Sequence, residues 1–252
     1  MLEMQTYGTD TVQPPILIAH GLFGSARNWG VIAKRLSVDR RVVSVDMRNH
    51  GLSPWTDSHS YPDLADDLAE VVTAIGGTAD VIGHSMGGKA AMVFAMAQAD
   101  MVRRLLVADI APIAYGHSQQ SMITAMRGID LSQVNTRGDA DRQLAQVIDE
   151  PSVRAFLLQS LDVKAQEWRL NLDVLERDMD QIIGFPDHQG QFDGPTLFLS
   201  GATSDYVQPE HRAIIKGLFP KAKHAKIPQA GHWLHAEKPR EFEASALAFL
   251  ST

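Results

Sequence analysis

Gly83-His84-Ser85-Met86-Gly87 is the stretch on which the reading of this chain turns: a serine with glycine two residues to either side, set between an apolar run and a segment rich in helix formers. The run Ala79-Asp80-Val81-Ile82 predicts a buried strand, and Lys89 to Ala99 predicts a helix. So sharp a strand-to-helix turn needs small neighbours, because side chains at the glycine positions would collide as the chain reverses. The turn lifts the Ser85 hydroxyl clear of the backbone and points the first helical N–H groups beside it, the geometry an attacking hydroxyl requires. The same residues nearly make a phosphate-binding loop: Gly83, four residues, then Gly88-Lys89. Ala90 stands where that loop needs Ser or Thr to ligate Mg²⁺, which argues against a nucleotide site.

The rest of the composition narrows the function classes. With 252 residues and 44% hydrophobic content, the chain can bury a large core as one domain with an insertion. Its net charge is −7 and no run of Lys or Arg forms a stripe, so neither nucleic acid nor an anionic membrane has electrostatic support, and small molecules are the expected partners. Having no cysteine removes disulfides, thiolate metal sites and cysteine nucleophiles together and fits a reducing compartment. The first residues lack the basic and apolar regions of a leader, and no apolar run approaches the ~18 residues of a membrane span. A soluble, cytoplasmic protein is expected, as a monomer or small homo-oligomer. The histidines are scattered; His232 and His235 alone have near-helical spacing, and without a third ligand they predict no metal site.

Short apolar runs recur with helical segments between them: Ile16–Ala19, Arg41–Val45, Val81–Ile82, Leu105–Ala108, Thr196–Leu199 and His224–Ile227, with helices at Asp63–Ile75 and Pro209–Leu218. Runs apolar throughout suit strands covered on both faces, the signature of a mostly parallel α/β sheet flanked by helices. Leu2–Tyr7 alternates weakly and predicts an edge strand. Between Pro112 and Asp193 only helical periodicity is read, near Ser118–Met126, Asp139–Ile148, Pro151–Leu161 and Ala165–Ile183. Residues 1–111 and 194–252 are therefore expected to form the core, and 112–193 a helical cap inserted after the sixth strand, lying as a lid over the carboxyl ends of the strands.

A serine hydroxyl needs a base, and the base needs a carboxylate to fix its tautomer. His232, in Pro228-Gln-Ala-Gly-His232, follows the last strand and is the candidate base. Two carboxylates compete for the third role: Asp109, at the end of Leu105–Ala108, and Asp205, in the loop after the next strand. Either gives the chain order Ser, Asp, His. For a developing oxyanion the Met86 N–H is one donor; the other is assigned to the Leu22 N–H in His20-Gly-Leu-Phe-Gly-Ser25, with Phe23 as fallback. Asp46 and Arg48 are expected to form a charge pair and hydrogen bonds that tie down this loop, His84 to pack in the elbow, and Trp168, Trp233, Phe156, Met122 and Met126 to be core or pocket lining.

His20-Gly-Leu-Phe-Gly-Ser, Asp46-Met-Arg-Asn-His-Gly-Leu-Ser53, Gly83-His-Ser-Met-Gly-Gly88, Asp109-Ile-Ala-Pro112 and Gly231-His-Trp233 together resemble the α/β-hydrolase fold and, more narrowly, its small bacterial YbfF-type esterases. The resemblance spans nearly the whole chain and is weakest in the first ten residues and the insertion. It implies that the carboxylate of Asp-Ile-Ala-Pro serves, hence Asp109, with Ser204 at the superfamily's usual acid position as an added hydrogen-bonding partner and Asp205 one residue out of register. The expectation is a serine hydrolase cleaving carboxylic esters or thioesters of small to medium acyl groups through an acyl-enzyme, with no cofactor. The rivals are a same-fold lyase or C–C bond hydrolase, for which Arg127, Arg154 or Arg169 would supply a cation, and a non-catalytic ligand-binding homologue.

Overall fold

The buried apolar runs become the middle of one sheet. A computed structural model describes residues 1–187 and 190–251. In chain order its strands are β1 (Met4–Tyr7), β2 (Ile16–Ala19), β3 (Val42–Val45), β4 (Ala79–His84), β5 (Val102–Ala108), β6 (Leu161–Asp162), β7 (Glu167–Trp168), β8 (Thr196–Gly201) and β9 (Ala222–Ile227). The α-helices are α1 (Gly30–Leu36), α2 (Tyr61–Ala74), α3 (Met86–Ala97), α4 (Gln120–Arg127), α5 (Arg137–Leu144), α6 (Pro151–Leu157), α7 (Leu172–Arg177), α8 (Met179–Ile183), α9 (Arg212–Leu218), α10 (Leu234–Glu237) and α11 (Pro239–Leu250). The main sheet runs β1-β3-β2-β4-β5-β8-β9, with β1 antiparallel to β3 and every other pair parallel.

Strand alternation sorts the apolar side chains into two layers. Leu17, Val43, Val81, Leu105 and Phe198 face α2 and α3, while Ile16, Ile18, Val42, Ile82, Leu106 and Leu199 face α1 and α11. The strands β2, β3, β4 and β8 are buried along their length, as expected for a sheet covered on both sides. β9 differs: Lys223, His224, Ala225 and Lys226 are exposed, the polar dress of an edge strand.

The chain leaves the sheet after β5, the fifth described strand and not the sixth, and returns at β8. The excursion is not wholly helical. Leu161–Asp162 and Glu167–Trp168 pair as an antiparallel ribbon where the helical reading ran through. Its turn is set by the Asp162 carboxylate, which accepts the N–H groups of Lys164 and Ala165 at 3.1 and 3.0 Å, and by Gln166 at φ 54°. The segment after it splits into α7 and α8 around Asp178.

The register of the central strands gathers the site. His84 of β4 pairs with Ala108 of β5, and Ala108 with Leu199 of β8. The residues that follow, Ser85 and Asp109, therefore leave neighbouring strands side by side at the carboxyl edge, where open α/β sheets carry their sites.

Candidate active site

Ser85 sits at φ 52°, ψ −120°, immediately before α3, and its N–H donates to the Ala108 carbonyl at 3.1 Å. A non-glycine residue held there costs about 1–3 kcal/mol, sustained by the packing around it. That packing leaves no room for side chains: a Cβ on Gly83 would lie 2.3 Å from the Gly87 carbonyl oxygen, and one on Gly87 2.4 Å from that of His20. Met86 opens α3, so its N–H has no acceptor within the helix.

Asp109 also takes a positive φ, 52°, as the chain turns away from β5, and it is wholly buried. Its carboxylate is fully used. Oδ1 accepts the Gly201 N–H at 3.0 Å; Oδ2 accepts the Ser204 hydroxyl at 2.5 Å and Nδ1–H of His232 at 2.8 Å. The acceptor at Nδ1 fixes the proton there and leaves Nε2 of His232 bare for the cavity. Tyr206 stacks on the His232 ring with centroids 3.9 Å apart, and Nε2–H of His84 donates to the His232 carbonyl at 2.8 Å. Asp205 is exposed and, among the described residues, accepts only from Gln208 Nε2 at 3.4 Å. Of the two carboxylates that spacing left open, the structure brings Asp109 to the histidine and not Asp205.

The loop facing Ser85 is a turn closed by Gly24 N–H on the Gly21 carbonyl at 3.0 Å, with Phe23 at φ 63°. The Phe23 N–H is engaged, donating to Nε2 of His50 at 3.1 Å. Leu22 N–H takes no part in that turn, while the fallback donor, Phe23 N–H, is spent on His50. Asp46 holds the loop's far end, accepting Ala26 N–H at 2.7 Å and Leu52 N–H at 2.8 Å. The expected Asp46–Arg48 charge pair does not form: Arg48 grips Asp67 of α2 through Nε and Nη2 at 2.6 and 2.9 Å. Positions 46 and 48 would share one side of an extended segment, but the chain leaves β3 at Val45 and turns at Arg48–Asn49, with Asn49 at φ 64°, so the two side chains part.

Buried histidines support this floor as neutral hydrogen-bonding units. Nδ1–H of His20 donates to the Gly21 carbonyl at 2.7 Å while its Nε2 accepts Met47 N–H at 2.9 Å. His50 does the same between the Arg48 carbonyl and Phe23 N–H. Burial lowers His20 to about 4 and His50 to about 3, since a charged imidazole would be desolvated and would lose its accepting nitrogen. His235 stacks on Trp29 with centroids 4.1 Å apart, and burial lowers it to about 3. Among the described residues no three His, Asp or Glu side chains are grouped as a metal site requires.

Ser85, His232, Leu22 and Met86 line one cavity of about 280 Å³. Phe156, Trp233 and Met122 line it too, whereas Trp168 and Met126 are packed inside the inserted segment, Nε1–H of Trp168 donating to the Met126 carbonyl at 3.0 Å. Arg127, Arg154 and Arg169 do not reach it, being paired with Asp173, Asp141 and Asp162. Lining residues that the sequence reading passed over include Tyr115, Tyr206 and Lys89. In the sequence Lys89 stands as the lysine of the incomplete phosphate loop and the first residue of a helical run.

Residues 16–245 match the alpha/beta hydrolase family. The chain belongs to that family. It is 41% identical to the sn-1-specific diacylglycerol lipase ABHD11 of Mus musculus over 96% of this chain and 82% of the mouse protein. Against the esterase YbfF of Escherichia coli K12 the identity is 38%, over 94% of this chain and 93% of the relative. A solved structure described as a marine microorganism esterase superposes with a TM-score of 0.92 at 38% identity, covering 99% of this chain and 100% of the other. The protein is accordingly a carboxylesterase-type hydrolase acting on small-molecule esters. Among the described residues no helix is long and apolar enough to cross a membrane.

Proposed function

We propose that Ser85, His232 and Asp109 act as one acyl-transfer unit on carboxylic esters or thioesters of small to medium acyl groups. The observation that carries this reading is the 2.8 Å bond from His232 Nδ1 to a buried, fully hydrogen-bonded Asp109, on a ring that lines the same cavity as Ser85. His232 Nε2 takes the Ser85 proton as Oγ attacks the carbonyl carbon. The N–H groups of Leu22 and Met86 receive the oxyanion. His232 then delivers its proton to the leaving oxygen or sulfur, and the alcohol or thiol departs. Water, deprotonated by the same nitrogen, cleaves the acyl-enzyme and restores Ser85. Asp109 holds the tautomer throughout, and Ser204 keeps its Oδ2 oriented toward the ring.

Residues 112–193 serve in this proposal as a lid: α6 contributes Phe156 and α4 contributes Met122 to the cavity wall, so acyl length is set there. The missing cysteine and the acidic balance support a cytoplasmic protein, monomeric or a small homo-oligomer, without a cofactor. The lyase or C–C hydrolase reading loses its lid arginines to surface ion pairs. Stopped-flow hydrolysis of p-nitrophenyl acetate, butyrate and hexanoate tests the proposal. A burst of one nitrophenolate per chain followed by slower turnover is expected. Silence on every ester and thioester contradicts it.

A further inference from the structure

Lys89 lies in the first turns of α3, and its N–H donates to the carbonyl of Ser85, the residue just before the helix, at 3.0 Å. Both line the cavity, and Lys89 is 1% exposed. Its ammonium donates to the carbonyls of Ile183 and Gly184 at 2.8 and 2.5 Å and lies 4.8 Å from the centre of the Tyr115 ring and 5.8 Å from that of Tyr61. Carbonyl dipoles and ring faces soften the burial of a cation but do not neutralise it. Among the described residues lining the cavity Lys89 is the one Lys, Arg, Asp or Glu, and no described carboxylate forms an ion pair with it. Desolvation lowers the ammonium to about 7, as expected where no anion compensates. An amine with three donors, two of them spent on carbonyls, keeps one for a ligand.

We propose that Lys89 makes the inner end of the cavity a carboxylate subsite, so that the enzyme prefers acyl groups carrying a second, distal carboxylate over neutral acyl groups of equal length. This deepens the ester-hydrolase reading and rests on it. A neutral acyl chain pressed against Lys89 displaces water from the cation and returns nothing. A distal carboxylate supplies the missing counter-charge and a charge-assisted hydrogen bond in a dry site. Glutarate serves as the short-diacid probe. The competing role is mechanical: Lys89 fastens the last turn of α8 through the same two carbonyls. That role would affect all substrates alike.

The test uses the full chain at pH 6.5, below the value of about 7 to which burial lowers the ammonium, with hydrolysis followed by pH-stat. Monoethyl glutarate is compared with ethyl valerate, which replaces the carboxylate by a methyl group, and calorimetry compares free glutarate with valerate. The wild type is expected to favour the glutarate ester in kcat/KM by about tenfold or more, the size of one charge-assisted bond, and to bind glutarate more tightly than valerate by a similar factor. In Lys89→Met that ratio is expected to fall to about one, the neutral ester serving as internal reference. If the wild type hydrolyses both esters with equal kcat/KM, or Lys89→Met preserves the ratio, the subsite is overturned while ester hydrolysis stands. If neither ester turns over, the calorimetric ratio decides the subsite, and the p-nitrophenyl ester test above decides the hydrolase reading. Should Lys89→Met not fold, the two wild-type ratios decide it alone.

Discussion

The carboxyl edge of the sheet and the segment inserted between β5 and β8 are held by opposite kinds of polar bond. At the sheet three carboxylates are buried and hydrogen-bonded on both oxygens: Asp109 carries Gly201, Ser204 and His232; Asp46 carries Ala26 and Leu52; Asp80 holds Arg40 at 2.7 Å and also Arg103. Within the insertion several ion pairs face solvent, as Arg127 with Asp173 and Glu176, and Arg142 with Asp139. A buried, saturated group fixes one geometry because leaving it unpaired is costly, whereas an exposed pair exchanges readily with water. The residues proposed for the chemistry thus sit among buried carboxylates, and the walls proposed to select the acyl group lie in a segment with several solvent-facing ion pairs.

The sharpest break of this contrast is at Asp109. Asp109→Asn should lower kcat by about 10³–10⁴, because the amide presents a donor to Nδ1 and imposes the wrong tautomer, while Asp205→Asn should stay within about twofold. Steady-state kinetics on one p-nitrophenyl ester decides between them, and the reverse pattern would move the acid to Asp205. Away from the site the same rule holds for Asp80, whose loss leaves Arg40 buried without its carboxylate: Asp80→Ala should cost about 3–5 kcal/mol in urea unfolding.

Acid titration sharpens the comparison next. His20 and His50 are neutral in the folded chain, near 4 and 3, and an unfolded histidine titrates near 6.5. Between those values the unfolded chain binds protons that the folded chain refuses, so stability is full above about 6.5 and declines as pH falls toward 4, by on the order of 1–3 kcal/mol per histidine. The slope of the urea midpoint against pH measures it, and His50→Gln should flatten it. A pH-independent midpoint over that range would contradict the neutral-histidine floor. The smallest effect is expected in the insertion: Arg127→Ala, which removes an exposed pair, should change stability by less than about 1 kcal/mol.

What the sequence disclosed follows the same division. The strands and the elbow were legible because burial on both faces leaves unbroken apolar runs, and because only glycine fits beside Ser85. The pairing of His232 with Asp109, beside a cavity that Ser85 also lines, was legible from loop position and from resemblance, although spacing alone left Asp109 and Asp205 equal. The β6–β7 ribbon was not, since pairs of two residues leave no periodicity, and its turn depends on the carboxylate of Asp162. Nor was the Arg48–Asp67 grip, which depends on how α2 lies against the loop after β3. Lys89 escaped because a lysine in a helical run reads as a solvated position, and only the fold buries it under Tyr115.

The central claim is that one hydroxyl, one imidazole and one carboxylate work together, and active-site labelling tests it most directly. Treatment with a fluorophosphonate followed by intact-mass measurement and peptide mapping should give a single adduct on Ser85. The adduct should be absent in Ser85→Ala and formed far more slowly in His232→Asn and Asp109→Asn. No adduct, an adduct on another residue, or labelling of Ser85 at an unchanged rate in both variants would contradict the account.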